Sequence, residues 1–206
     1  MIQSESNVQI KELIKLQKNA RERKKKKLFV AEGMKLTKEA AFHGKLKKIY
    51  IAQDVYEHRE RELDDFLAKQ DYEVVDTKIF RQAAQTVTPQ GMLALVEVPE
   101  YSVDTLLCDP KRSFLLLDDL RDPGNLGTIM RTAEGAGMSG VILSRESVDL
   151  FNPKVVRATM GAIFRVPFYY ADDLIEVIER LKAKQIPVYG TMMQGSEVYD
   201  ALDYTN

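Results

Sequence analysis

The chain has one cysteine, Cys108, and two histidines, His43 and His58. A lone cysteine forms no internal disulfide, as a reducing cytosol would have it. Two histidines far apart in sequence, with no further thiols near them, do not make a zinc ligand set, so no metal site is expected. No apolar run approaches the roughly 18 residues that a membrane helix needs. The opening Met1-Ile2-Gln3-Ser4 is unlike a signal peptide. A cytoplasmic protein without membrane association is the expectation. Phosphate-cradling loops are missing too: there is no G-x-x-x-x-G-K-[ST], and Gly124-Asn125-Leu126-Gly127 fails G-x-G-x-x-G. With no acidic ribose clamp after it, a Rossmann-type nucleotide binder is disfavoured. No internal repeat appears, and the only low-complexity stretch is a lysine run.

What remains is an ordinary globular composition: 206 residues, 45% hydrophobic and 30% charged, enough for one large or two small domains. The net charge of −1 hides an asymmetry. Residues 1–48 hold 14 Lys/Arg against 5 Asp/Glu, a local +9, which leaves −10 for the remainder. A basic segment on an acidic body is the footprint of a region that meets phosphate. A solvated helix end would have the same composition. Arg21 and Arg23 beside Lys24, Lys25, Lys26 and Lys27 favour RNA contact.

Along the chain, Val8, Ile10, Leu13, Ile14 and Leu16 predict a helix from about Asn7 to Arg21. Strands are predicted at Phe29 to Ala31, Ile49 to Ile51, Tyr72 to Val75 and Met92 to Val98, with helices near 33–42, 56–69 and 79–85 between them. Residues 1–98 read as a small α/β unit, 99–112 (turn residues, Pro110, little periodicity) as a hinge-like linker, and 113–206 as a second domain. In the latter, a helix is predicted from Pro153, a strand at Phe164 to Phe168, a helix at Asp172 to Lys184 and a strand from Pro187.

Leu115 to Ser144 reads as strand, turn-rich loop, helix, turn and strand. Phe114 to Leu117 and Val141 to Leu143 resemble strands buried on both faces, so a parallel β-α-β unit is expected. The loop between them then lies at the carboxyl end of a parallel strand, where open α/β sheets hold ligands. Asn125 suits a helix N-cap. Six positions separate it from Arg131, roughly 240° net on a helix, so the two converge only if Asn125 sits in the loop. A tight turn with a solvated arginine and a functional site fit this stretch about equally.

The run Asp122 to Ala133, D-P-G-N-x-G-x-x-x-R-T-A, closely resembles the first signature of the SpoU (TrmH-like) branch of the SPOUT RNA methyltransferases. These are S-adenosylmethionine-dependent enzymes that methylate ribose 2′-hydroxyls. Phe29 to Gly33 and Thr86 to Gly91 resemble segments of the family's amino-terminal substrate-binding domain, and Asn152 to Ala162 its next methyltransferase segment. The resemblance implies an α/β fold with an L30e-like α/β sandwich first and a SPOUT parallel-sheet (α/β knot) domain second. Two further family signatures, which form the knotted donor pocket, are not found up to Asn206. The knot-forming carboxyl-terminal end is therefore expected to be absent from this chain.

The resemblance also implies roles. Asn125 and Arg131 become the catalytic candidates, with Arg131 activating the 2′-hydroxyl. A guanidinium stays protonated at ordinary pH, so Arg131 is read here as binding an RNA phosphate or the developing alkoxide. Asn125 would fix the arginine or the ribose, or serve only as a cap. Gly190, Thr191 and Met192 match the loop that touches the cofactor, S-adenosylmethionine. Glu32, Gly33, Thr88, Gln90 and Gly91 are candidate RNA contacts or structural turns. Arg157 and Arg165 would extend a positive lining or be solvated. Glu134 would brace Arg131 or form an exposed pair. The implied protein is an RNA ribose 2′-O-methyltransferase acting on ribosomal RNA, because the separate substrate domain resembles rRNA-acting members. It would be a homodimer through its carboxyl-terminal domain. A tRNA target and a non-catalytic RNA-binding protein are the alternatives.

Overall fold

The computed structural model describes residues 1–108, 113–191, 198 and 201. Its elements in order are α1 (Val8–Lys18), α2 (Ala20–Lys26), β1 (Leu28–Glu32), α3 (Met34–Phe42), β2 (Leu46–Ala52), α4 (Gln53–Glu57), α5 (Arg61–Leu67), β3 (Tyr72–Val75), α6 (Thr77–Ala83), β4 (Met92–Glu97), α7 (Val103–Leu106), β5 (Phe114–Leu117), α8 (Pro123–Gly135), β6 (Gly140–Ser144), α9 (Pro153–Thr159), a 3-10 turn (Ala162–Phe164), β7 (Phe168–Ala171) and α10 (Leu174–Ala183).

Two sheets organise these elements. The first is mixed, in the order β1-β4-β2-β3, with β4 antiparallel to both neighbours and β2 parallel to β3. Side chains alternate across it. Phe29, Ala31, Ala94 and Val96 face α3 and the second unit, while Val30, Tyr50, Ala52 and Leu93 face α1 and α6. The second sheet, β5-β6-β7, is wholly parallel, as expected for successive β-α-β units. Val141 and Leu143 pack under α8 and α9, and Ile142 packs under α7 and α10.

Several boundaries differ from the sequence reading, each for a local reason. The first helix breaks at Asn19, whose extended backbone lets its side chain accept from Arg21 and Glu22 N–H and start α2. The predicted helix over 56–69 divides into α4 and α5. Arg59 closes α4 by donating to the Tyr56 carbonyl while stacking 3.9 Å over the Tyr56 ring. The strand predicted at Phe164 starts at Phe168, because Ala162–Phe164 forms a 3-10 turn after the left-handed Met160 and Gly161. No strand forms among the described residues from Pro187 to Thr191. β5 is half-buried rather than enclosed on both faces, since it is the edge strand of its sheet.

The described part of the predicted linker, residues 99–108, is packed on the second sheet. It carries the one-turn α7, whose Leu106 is buried with Leu107 against Ile142, Val177 and Leu181. Tyr101 meets Phe168 edge-on. The two units also share a core: Phe29 of β1 lies 4.9 Å from the Phe151 ring and 6.2 Å from that of Phe164. Aromatic pairs of this kind add about 0.5–1.5 kcal/mol each beyond their burial.

Candidate functional site

The site begins where α8 starts, at the carboxyl end of β5. Asp122 is its N-cap: Oδ1 accepts from Asn125 N–H at 2.7 Å, and Pro123 takes the first helical position. Asn125 is therefore not the cap but a residue of the first turn, exposed, with its side chain free of capping duty. Asn125 and Arg131 lie on one helix, about 120° apart around it and about 9 Å along it. They do not converge on each other. They can meet only through something laid across the first two turns.

Gly127 and Arg131 are four residues apart and share a stripe facing α9. A Cβ on Gly127 would lie 2.9 Å from the Ala158 carbonyl carbon, so only glycine lets α9 approach this closely. That approach brings the Ala158 carbonyl, in the last turn of α9, to the Arg131 guanidinium, which donates to it through Nη1. Nη2 donates to Thr128 Oγ1 at 3.3 Å. A cation on the last carbonyls of a helix is favoured electrostatically. Arg131 is thus half-buried and tethered, leaving its remaining N–H groups as donors.

The neighbouring loops are fixed by groups the sequence reading passed over. Ser144 Oγ accepts from Asp119 N–H at 2.8 Å and Ser147 Oγ from Leu120 N–H at 3.1 Å, tying the loop after β5 to the loop after β6. Tyr170 donates its hydroxyl to the Val148 carbonyl at 2.7 Å and accepts from Leu150 N–H at 2.9 Å. Burial pushes that phenol well above its ordinary range. Hydroxyls at or just beyond a strand end are the signal that could have found Ser144 and Ser147, and Asp immediately before Pro the one for Asp122.

Other predicted site residues are placed differently. Arg23, read as an RNA contact, is 5% exposed and turned inward. Its guanidinium donates to the Leu16 and Gln17 carbonyls and to Asp149 Oδ2, at 2.6 Å from Nη2. Arg21, Lys24 and Lys25 are exposed, while Lys26 pairs with Glu12 and Lys27 with Glu100. Glu134 pairs with Arg165, not Arg131, and Arg165 also pairs with Glu39. Those carboxylates raise the Arg165 pKa and neutralise it as a positive lining.

Glu32, also read as an RNA contact, is occupied: it accepts from Gln85 N–H, Thr86 N–H and the Thr86 hydroxyl. Gln90 Oε1 accepts from Met34 N–H at 3.2 Å and so caps α3, and that oxygen lies where a Cβ on Gly33 (φ 104°) would go. Gly91, at φ 76°, is packed on Val55. These are turn positions that the loop itself needs. Thr88 is exposed. Arg157 is half-buried and faces Glu32. Gly190 and Thr191 are exposed, and Met192 lies outside the described residues.

A groove of about 1200 Å³ runs between α3 and α5, walled by Met34, Phe42, Phe66 and Arg165 among others, and a smaller one of about 400 Å³ lies beside Val55, Thr77 and Thr88. Neither borders Asn125, Arg131 or Gly190. Among the described residues no group of three or more His, Cys, Asp or Glu is placed to hold a metal ion. No helix among them is long and apolar enough to cross a membrane.

Comparison with known proteins gives the following. Residues 112–206 match the SpoU rRNA Methylase family, and residues 7–94 match the MRM3-like substrate binding domain. The chain is 33% identical over 203 residues to the 23S rRNA (guanosine(2553)-2′-O)-methyltransferase RlmP of Bacillus subtilis (strain 168), spanning 98% of this chain and 77% of that protein. It is 33% identical over 178 residues to the mitochondrial rRNA methyltransferase 3 of Homo sapiens, spanning 81% of this chain but 38% of that longer protein. The crystal structure of an AdoMet-bound rRNA methyltransferase from Sinorhizobium meliloti superposes with a TM-score of 0.81 at 29% identity, covering 100% of this chain and 77% of that one.

Proposed function

We propose, from the premise that the chain belongs to the SpoU rRNA methylase family, that it transfers a methyl group from S-adenosylmethionine to the 2′-hydroxyl of a ribose in ribosomal RNA. The observation that carries this reading is the placement of the D-P-G-N-x-G-x-x-x-R run. It forms a helix start at the carboxyl edge of a parallel sheet, with the arginine tethered by a second helix. In this reading residues 1–98 form the RNA-facing unit and 113–206 the methyltransferase unit. The active form is a homodimer through the latter, in the cytoplasm.

S-adenosylmethionine supplies an electrophilic methyl group. Gly190 and Thr191 are exposed and border neither groove, and the roles below belong to the RNA side. A ribose hydroxyl is a poor nucleophile that must be held in line and must shed a proton. A guanidinium is not suited to serve as a general base, so the proton is passed to solvent water and Arg131 acts as a donor. Its free N–H groups stabilise the developing alkoxide or clamp the adjacent phosphate by charge-assisted hydrogen bonds. The Ala158 carbonyl and Thr128 hydroxyl tether it to α9 and to its own helix. Asn125, with an amide donor and acceptor on the preceding turn, positions the ribose from the other side. The exposed cations Arg21, Lys24 and Lys25 on α2 give non-specific phosphate attraction.

The test is transfer of labelled methyl from S-adenosylmethionine to protein-free rRNA, with the acceptor mapped as a 2′-O-methyl nucleotide. Arg131→Ala should abolish transfer while RNA affinity changes by about two-fold or less. Methylation of tRNA alone, or RNA binding without transfer by the wild-type protein, would overturn this reading. Light scattering at twice the chain mass checks the dimer.

A further inference from the structure

We propose that Glu32 and Arg157 are positioning residues that couple the loop at 85–91 on the RNA-facing unit to Arg131, an inference that rests on the methyltransferase reading above. Glu32 ends β1, its side chain is 6% exposed, and it gathers the loop by accepting from Gln85 N–H at 3.0 Å and from Thr86. Arg157, on α9, brings Nη1 to 3.9 Å from Glu32 Oε2. That distance is too long for a hydrogen bond, and Nη1 is buried with no hydrogen-bond partner among the described residues. A buried guanidinium N–H left unpaired is unfavourable, and such an orphan in a folded protein asks for an explanation. A shift of about 1 Å would turn this contact into a charge-assisted hydrogen bond.

The residue after Arg157 is Ala158, whose carbonyl receives Arg131 and whose backbone rests on Gly127. Consecutive residues of one helical turn therefore face Glu32, which holds the loop at 85–91, and the arginine Arg131. Any movement of α9 that closes the Glu32–Arg157 gap carries the Ala158 carbonyl, and Arg131 with it. RNA seated on the exposed Thr88 would press on the same loop that Glu32 holds. The open gap is then the unloaded position, and closure on RNA binding aligns Arg131 for transfer.

Hydrogen exchange on the full chain, with and without an rRNA fragment, tests the coupling apart from turnover. In the wild type, RNA should increase protection of the amides at 156–160 as well as those of α2. Arg157→Lys and the isosteric Glu32→Gln should bind RNA within about two-fold of wild type, lose the response at 156–160, and reduce kcat about ten-fold or more with KM little changed. The double variant should be no worse than the poorer single one, because both act on one contact. An unchanged response at 156–160 in both variants, a loss confined to KM, or multiplicative effects in the double variant would overturn the proposal. If Arg157→Lys fails to fold by its melting curve, Glu32→Gln carries the test. Absence of methyl transfer by the wild type would sink the functional reading, whereas the exchange pattern still decides the coupling.

Discussion

Gly127 and Arg131 divide the labour of one helical stripe. The glycine admits α9, and the arginine holds what has been admitted. Gly127→Ala should cost about 1–3 kcal/mol in urea unfolding, because the new methyl overpacks against backbone that cannot rotate aside. Activity should fall further than stability, since the Ala158 carbonyl that orients Arg131 is displaced. Arg131→Lys should also be nearly inactive in methyl transfer: an ammonium cannot bridge the Ala158 carbonyl and Thr128 and still present a planar donor pair to substrate. Near-wild-type turnover of that variant would show that a point charge suffices. At this scale the motif was legible in the sequence, but the cap was not. Asn125 and Asp122 are both good capping residues, and the decision falls to Asp122 because Pro123 fits the first helical position after it.

Among the elements, α8 and α2 show how much short-range chemistry decides. Removing the α8 cap with Asp122→Ala should cost about 1 kcal/mol, read as a lower Tm, by leaving the Asn125 N–H without its acceptor. Asn19 breaks α1 from α2, and the break turns Arg23 into the core while Lys24 and Lys25 stay outside. Charge reversal at Lys24 and Lys25 should therefore lower the slope of log RNA affinity against log salt by about two without changing the melting temperature. An unchanged slope would mean that RNA passes elsewhere. The lysine run was visible as a basic segment, yet nothing in its composition distinguished the one inward arginine from its neighbours.

For the whole molecule, the main finding is that the two units share a core instead of hanging on a hinge. Phe29 and Ala31 of the first sheet belong with Val155, Val156 and Phe164 of the second unit, and Arg23 is bonded to Asp149 across the same boundary. Asp149→Ala should cost about 2–3 kcal/mol, less than a fully enclosed pair because Asp149 is 29% exposed, since it leaves a buried guanidinium short of its counter-charge. Calorimetry of the wild type should give one cooperative transition spanning both sheets; two separated transitions would contradict a common core.

From the sequence alone came the strands β1 to β6, the amphipathic helices, the turn-borne signature and its family. All depend on period, capping and neighbours within a few residues, which a linear chain displays openly. Only the tertiary structure decided that Arg23, Glu134 and Arg165 are consumed by ion pairs, that Glu32 holds a loop, and that Arg157 waits beside it. Arg23–Asp149 and Arg165–Glu39 each join residues 126 positions apart. A charge's partner at that separation is set by how the sheets pack, and no local pattern records it.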